Sequence, residues 1–262
     1  MLILLPPSET KSVPLTGHPL ELSDLSWPEL TAARQRMMQA LMKVSAQKNA
    51  LEALGVGPSL AQEVAANLQL EHAPATAALD VYTGVLFDAL AHHDLTDQQR
   101  QVAQDCVVVI SALWGAVRAT DRITPYRLSG DTKLRGLGKV GSLKASTYWR
   151  PHLDAVLGPE AIQQVVVDCR SATYAAAFRP PAVNTVGITV VQEVKGRRVV
   201  VSHNAKHTRG LVARHLIEQT ADGVHPHTID EVVDVVRQRW DVEVAAPTTT
   251  KPGQLTVVVA PS

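Results

Sequence analysis

LILLPPSETK, residues 2–11, is the stretch on which the fold turns. Four aliphatic residues run into two prolines, and Ser8, Glu9, Thr10 and Lys11 follow with no apolar partner among them. A run that is apolar at every position reads as a strand buried on both faces. Pro6 and Pro7 lack the donor a central ladder needs, so the strand ends there and the polar residues leave at the sheet's edge. Three further segments have the same form: VVVISALWGAVR at 107–118, VVVDCRS at 165–171 and VVVSHNAKHTR at 199–209. Ligands of parallel sheets bind beyond the carboxyl ends of the strands. With all four strands aligned, Glu9, Lys11, Arg118, Asp168, Arg170, Lys206 and Arg209 are expected at one edge.

Working outward, VGITVVQEVKGRRVVVS at 186–202 reads as a hairpin turning at Lys195-Gly196, which makes the sheet mixed. Helical patterns occupy 28–48, where Pro28 suits a first turn, and 96–105, 146–157, 204–221 and 228–239. The tail APTTTKPGQLTVVVA at 246–260 reads as a turn and a last strand. The expectation is an α/β (mixed α+β) fold: residues 1–262 as one compact domain, a mixed central sheet, flanking helices and a helix-hairpin-helix-like element near 45–69.

Composition narrows the class. The chain is 45% hydrophobic and 19% charged, which excludes disorder, and only 4% aromatic, so its core is aliphatic. No apolar stretch reaches the roughly 18 residues of a membrane span. The start lacks the basic, apolar and small-residue regions of a signal peptide. Cys106 and Cys169 flank apolar runs and read as reduced thiols, so the expected location is the cytoplasm. A formal net charge of zero argues against capturing nucleic acid by bulk charge, but the distribution is uneven. Residues 118–150 carry eight basic side chains against Asp121 and Asp131, a local +6, and residues 195–214 carry six with no acid. Two basic segments on an acidic body concentrate anions locally.

Residues 51–68, LEALGVGPSLAQEVAANL, have the form helix, Gly55-Val-Gly57 turn and second helix from Pro58. Glycines in such a turn let backbone approach a DNA phosphate, a contact indifferent to sequence. The same pattern also describes a packing corner, and Glu52 and Glu63 flank it. GLGKVG at 136–141 follows no expected strand and has no acidic residue about 20 positions on, so it reads as a basic loop rather than a dinucleotide fingerprint. His203 and His207 are four apart but lack a third ligand, while His92-His93 and His225-Pro-His227 read as surface histidines. Neither a metal nor a cofactor is expected. Cys169 beside Arg170 reads as a core thiol.

In SHNAKHTRGLVAR, Lys206, Arg209, Gly210 and Ala213 share one arc of a helix starting near Asn204, with Val212 and Leu216 turned inward. Cations there oppose the helix dipole unless an anion docks between them. SALWGAVRATDRITPYRLSG at 111–130 adds Arg118, Asp121, Tyr126 and Arg127: two guanidinium groups, an orienting carboxylate and a hydroxyl, a candidate cradle for phosphate.

Together, LLPPSETK at 4–11, YTGVLFDAL at 82–90, SALWGAVRATDRITPYRL at 111–128 and SHNAKHTRGLVAR at 202–214 resemble the YaaA family of peroxide-stress proteins. Residues 167–178 and the tail beyond 220 follow the family pattern only loosely. The resemblance implies an α/β domain of unusual topology with a helix-hairpin-helix-like element and a basic cleft. It implies a cytoplasmic role in limiting oxidative damage, by lowering available iron and by binding DNA. The positions that match are Ser8, Glu9, Lys11, Tyr82, Gly84, Arg118, Asp121, Tyr126, Arg127, Lys206, Arg209 and Arg214.

Two functions fit these residues. One is a protein that binds DNA without reading its sequence, with Gly55 and Gly57 at the hairpin. The other is an enzyme on a nucleotide, nucleoside or base, N-glycosyl bond chemistry being one form. Its candidate catalytic groups are Glu9, Lys11, Asp121 and Lys206, and its ligand or phosphate contacts are Ser8, Tyr82, Arg118, Tyr126, Arg127, Arg209 and Arg214. Carboxylates and lysines at buried strand ends suit tuned pKa values, which plain phosphate binding does not require. The expected partner is therefore DNA or a small anionic nucleotide-like ligand, not a membrane; the sequence leaves the oligomeric state open.

Overall fold

Leu2–Leu5 forms strand β1, and all four of its residues are fully buried. The aliphatic run is the reason: with both faces apolar, it is stable only between two neighbouring strands and under helices on both sides. The computed structural model describes residues 1–138, 140–194, 197–199 and 202–259; the side chains of 193–204 are outside that description. Lys139 of the GLGKVG loop, the Lys195-Gly196 turn and Val200-Val201 of the fourth apolar run lie outside the described residues.

Beyond β1 and a long loop, α1 (Thr31–Ser45), α2 (Ala50–Leu54) and α3 (Ala61–Ala66) form a helical block. Next come β2 (Thr76–Ala77), α4 (Ala78–Val81), α5 (Val85–Leu90) and α6 (Asp97–Cys106), which runs straight into β3 (Val107–Ser111). Then follow β4 (Gly115–Arg118), β5 (Arg122–Ile123), β6 (Lys133–Arg135), β7 (Ser142–Lys144), α7 (Ala145–Ile162), β8 (Val166–Asp168) and α8 (Ala172–Ala175). The chain continues through β9 (Thr185–Val194), β10 (Arg197–Val199), α9 (Ser202–Ala221), α10 (Ile229–Arg237), β11 (Asp241–Ala245) and β12 (Gly253–Val259). Capping boxes start α6, with Thr96 and Gln99, and α10, with Thr228 and Glu231.

The main sheet has the order β11-β12-β9-β8-β1-β3-β4, with β10 paired to β9. From β12 to β3 the neighbours are parallel, and β11, β4 and β10 are antiparallel additions. Helices cover the sheet, and one continuous aliphatic core runs through it. This is a mixed α/β fold in one compact domain. A fully buried arginine ties helix to sheet: the Arg34 guanidinium donates to Trp114 O, Ala116 O, Ser26 O and Trp27 O at 2.8–3.2 Å. Burial pulls its pKa down to about 10, Asp121 working against that shift.

Two expectations about strand direction are corrected. The fourth apolar run does not lie parallel to the others: β10 returns antiparallel to β9, and α9 begins at Ser202. Arg118 does not reach the carboxyl edge either, because β4 runs antiparallel to β3, pairing Arg118 with Val108. Its end therefore lies at the opposite edge of the sheet.

Candidate binding site at the carboxyl edge of the sheet

A cavity of about 340 Å³ opens where β1 and β8 end. Its walls are Pro6–Thr10 after β1, Thr83–Phe87 leading into α5, Cys169 and Ser171 after β8, Tyr174, and Lys206 and Arg209 of α9. The reversed β10 still delivers α9 to this edge because β9 is longer than β8. β9 pairs with β8 only over 185–187, while Gln192 pairs with both β10 and β12. β10 and β12 must then lie on opposite sides of β9, so β10 stands above β8 with a gap between them. Arg209 fills that gap, its Nε donating to the carbonyl of Ile188 at 3.0 Å. Lys206 is exposed and has no ion-pair partner among the described residues.

The loop after β1 is fastened to the segment before α5. Ser8 Oγ accepts from Thr83 N at 3.1 Å and donates to Thr10 O, Thr83 Oγ1 and Thr10 Oγ1 are 3.1 Å apart, and Lys11 pairs with Tyr82 as a single bridge. Gly84 has φ +87, where L side chains are strained, and an added Cβ would meet Thr10 Oγ1 at 3.2 Å.

Lys11 does not line this cavity. Its Nζ turns to a neighbouring cleft beside Gln62, Glu63 and Tyr126, donating to Ser8 O at 2.7 Å and lying 4.3 Å from the centre of the Tyr126 ring. Burial brings its pKa down to about 8, with Glu9 opposing and Arg127 adding to the shift. Beneath it, the buried hydroxyls of Tyr82, Tyr126 and Ser111 form a chain, Ser111 to Tyr126 at 2.7 Å and Tyr126 to Tyr82 at 3.4 Å. Burial raises the pKa of both tyrosines, so they stay protonated.

Arg127 links the cavity to the helical block. Its guanidinium lies 3.1 Å from the Glu9 carboxylate and 3.6 Å from that of Glu63 on α3. Its backbone is clamped by buried Asn67, which accepts from Arg127 N at 2.9 Å and donates to Arg127 O at 3.0 Å. Asn67 carries no chemical signature in sequence, and only its burial between two segments shows the role.

The sequence matches the family described as "Peroxide stress protein YaaA" over residues 1–242. A UPF0246 protein of Streptomyces coelicolor is 41% identical over 253 residues, covering 94% of each chain. A UPF0246 protein of Corynebacterium efficiens is 41% identical over 239 residues, 90% of this chain and 92% of its own. The chain belongs to the YaaA family of peroxide stress proteins.

Within this YaaA-family chain the remaining candidate residues separate. The cradle expected from Arg118, Asp121, Tyr126 and Arg127 does not assemble, since the turn of β3 into β4 sends Arg118 to the far edge. There Arg118 pairs with Glu160 and lies 4.8 Å from the Trp27 ring centre. Asp121 accepts from Arg118 N at 3.0 Å and Ser26 Oγ at 2.8 Å, holding a turn rather than a ligand. Arg214 faces away from the cavity, pairing with Glu218 at 2.7 Å and donating to the carbonyls of Leu90 and Ala91. Asp168 is held by Arg170 through two bonds of 2.7 and 2.8 Å. Burial works to raise its pKa, yet the guanidinium keeps the carboxyl below the usual range. Burial pushes the Cys169 thiol up to about 12, which leaves it unreactive in the cavity wall.

Gly55 and Gly57 sit in an open turn between α2 and the 3-10 turn Pro58–Leu60, and an added Cβ at either meets nothing within 4 Å. Gly55 caps α2 in the left-handed region, φ 68, whereas Gly57 is extended, φ −79 and ψ 167.

Proposed function

We propose that this chain acts in peroxide stress by holding DNA, without reading its sequence, across the surface that joins the Gly55–Gly57 turn to the sheet-edge cavity. The observation that carries this reading is Arg127, which touches Glu9 at the cavity rim and Glu63 on the helix after the turn. The helix that follows the turn is thereby tied to the cavity rim. Open backbone at the turn suits a phosphate, and exposed Lys206 and partly exposed Arg209 supply charge at the other end. Limiting iron-dependent damage, which the family resemblance implies, is read as a consequence: DNA held against protein exposes less of its backbone to radicals.

The test is fluorescence anisotropy with a short duplex of arbitrary sequence. Affinity should fall with added salt with a log–log slope between about −2 and −4, as a few phosphate contacts require. Lys206→Glu, at an exposed position, should weaken binding several-fold and leave the circular dichroism spectrum unchanged. Binding that ignores salt, or none at low salt, removes the proposal.

A second reading rests on the cavity itself. At about 340 Å³, lined by prolines, Phe87 and hydroxyls with Lys206 and Arg209 at one side, it has the size and mix of a small-ligand site. A nucleotide-like ligand, or one unit of a nucleic acid strand, fits that chemistry.

A further inference from the structure

We propose that Asp80, His92 and His93 form a binding site for a first-row divalent metal ion, beyond the C-terminal end of α5, whose N-terminal half borders the sheet-edge cavity. The three side chains come from two segments. Asp80 lies on α4, and the histidines lie in the 3-10 turn His92–Asp94 after α5. Asp80 Oδ1 is 2.8 Å from His92 Nε2 and 3.9 Å from His93 Nδ1. Two donors bound to one Zn²⁺ at about 2.0–2.1 Å in tetrahedral geometry lie roughly 3.3 Å apart, between those two spacings. One ligand atom from each residue lies within 4.8 Å of the other two, so small side-chain rotations bring all three onto one ion.

The surroundings favour a cation. Asp88 and Asp94 line the same cleft as Asp80, His92 and His93, and among the described residues no lysine or arginine lines it. Arg100, behind His92, is 3.7 Å from Asp97. The backbone is set for this convergence. Ala91, immediately before the histidines, stands at φ 46, ψ 53, a conformation an alanine seldom adopts. Arg214 of α9 holds that turn by donating to Leu90 O at 3.1 Å and Ala91 O at 2.8 Å. Without the left-handed residue the chain would continue as helix and carry the histidine pair elsewhere. Thr76 Oγ1, 3.4 Å from Asp80 Oδ2, steadies the carboxylate from the other side.

Two imidazole nitrogens in a three-ligand set select a borderline ion such as Zn²⁺ or Co²⁺ over Mg²⁺ or Ca²⁺. His93 is 75% exposed, so water completes the coordination and the ion is exchangeable rather than a structural anchor. The test is calorimetric titration of the full chain, stripped with chelator, with Zn²⁺ and with Co²⁺, in the presence and absence of excess Mg²⁺. The expected result is one saturable equivalent that Mg²⁺ does not displace. It should be lost or weakened at least tenfold in His93→Ala and in Asp80→Asn, and kept in His225→Ala, which removes a surface histidine elsewhere. His93→Ala alters an exposed side chain, so its circular dichroism should match that of the parent. No saturable binding in the parent, unchanged binding in His93→Ala and Asp80→Asn, or loss in His225→Ala would overturn the proposal.

Discussion

At the scale of single residues, two positions carry consequences that stability measurements can read. Lys11 has a folded pKa of about 8, against about 10.4 for a free lysine, because burial disfavours its charge. Below pH 8 it is protonated in both states, and burying the charge opposes folding in full. Between about pH 8 and 10.4 the unfolded chain binds more protons, so stability rises with pH across that window. Lys11→Met removes the effect: its stability relative to the parent should be greatest at pH 7 and decline by on the order of 1–3 kcal/mol towards pH 10. A difference that stays flat in urea titrations refutes this. Gly210 is the second position. A Cβ there would overlap the carbonyl oxygen of Leu86 and come within 2.9 Å of Ala89 Cβ, so α9 and α5 touch backbone to backbone. Gly210→Ala should cost about 1–3 kcal/mol, seen as a lower urea midpoint with an unchanged slope.

At the scale of elements, the helical block shows how two glycines that look equivalent in sequence differ. Gly55 needs its left-handed φ to end α2, whereas Gly57 is extended backbone that any residue adopts. Gly57→Val should therefore leave thermal stability within about 0.5 kcal/mol of the parent, as expected of surface changes, while blocking phosphate approach and weakening duplex binding. Full binding by the folded variant would reduce the hairpin to a packing corner. The block is locked to the Tyr126–Arg127 segment by Asn67, which satisfies both backbone groups of Arg127. Asn67→Ala strands those partners and should cost about 1–3 kcal/mol by urea unfolding. It should also loosen the alignment of hairpin and cavity, lowering duplex affinity even at low salt.

At the scale of the whole molecule, the cavity exists because strands of different length end at different heights. β8 stops at Asp168, β9 continues to Val194, and the chain returns through β10 to seat α9 over the step. A ligand bound in that step stabilises the folded state by mass action. Adenosine monophosphate at millimolar concentration should raise the melting temperature of the parent and have less effect on Lys206→Glu. Equal shifts in both would separate Lys206 from the cavity's chemistry.

The sequence by itself determined what is buried and where the buried runs stop. β1, β3 and β8 are legible as continuous aliphatic runs, Pro6 and Pro7 end the first, and α1 follows from a helix-forming composition behind Pro28. These are local properties, set by each residue and its near neighbours along the chain. Direction and partnership were decided only in three dimensions. Arg118 and Arg127 stand nine residues apart in sequence, yet the reversal at β4 sends one to the far edge and leaves the other between Glu9 and Glu63. Lys11 leaves the same loop as Glu9 and turns to a different cleft, because the tyrosines beneath it come from segments far along the chain. His92 reads as a surface histidine until a left-handed alanine, held by an arginine 123 residues away, aims it at Asp80. Patterns in sequence report the hydrophobicity and period of one segment; which segments meet depends on strand order and handedness, which no single segment contains.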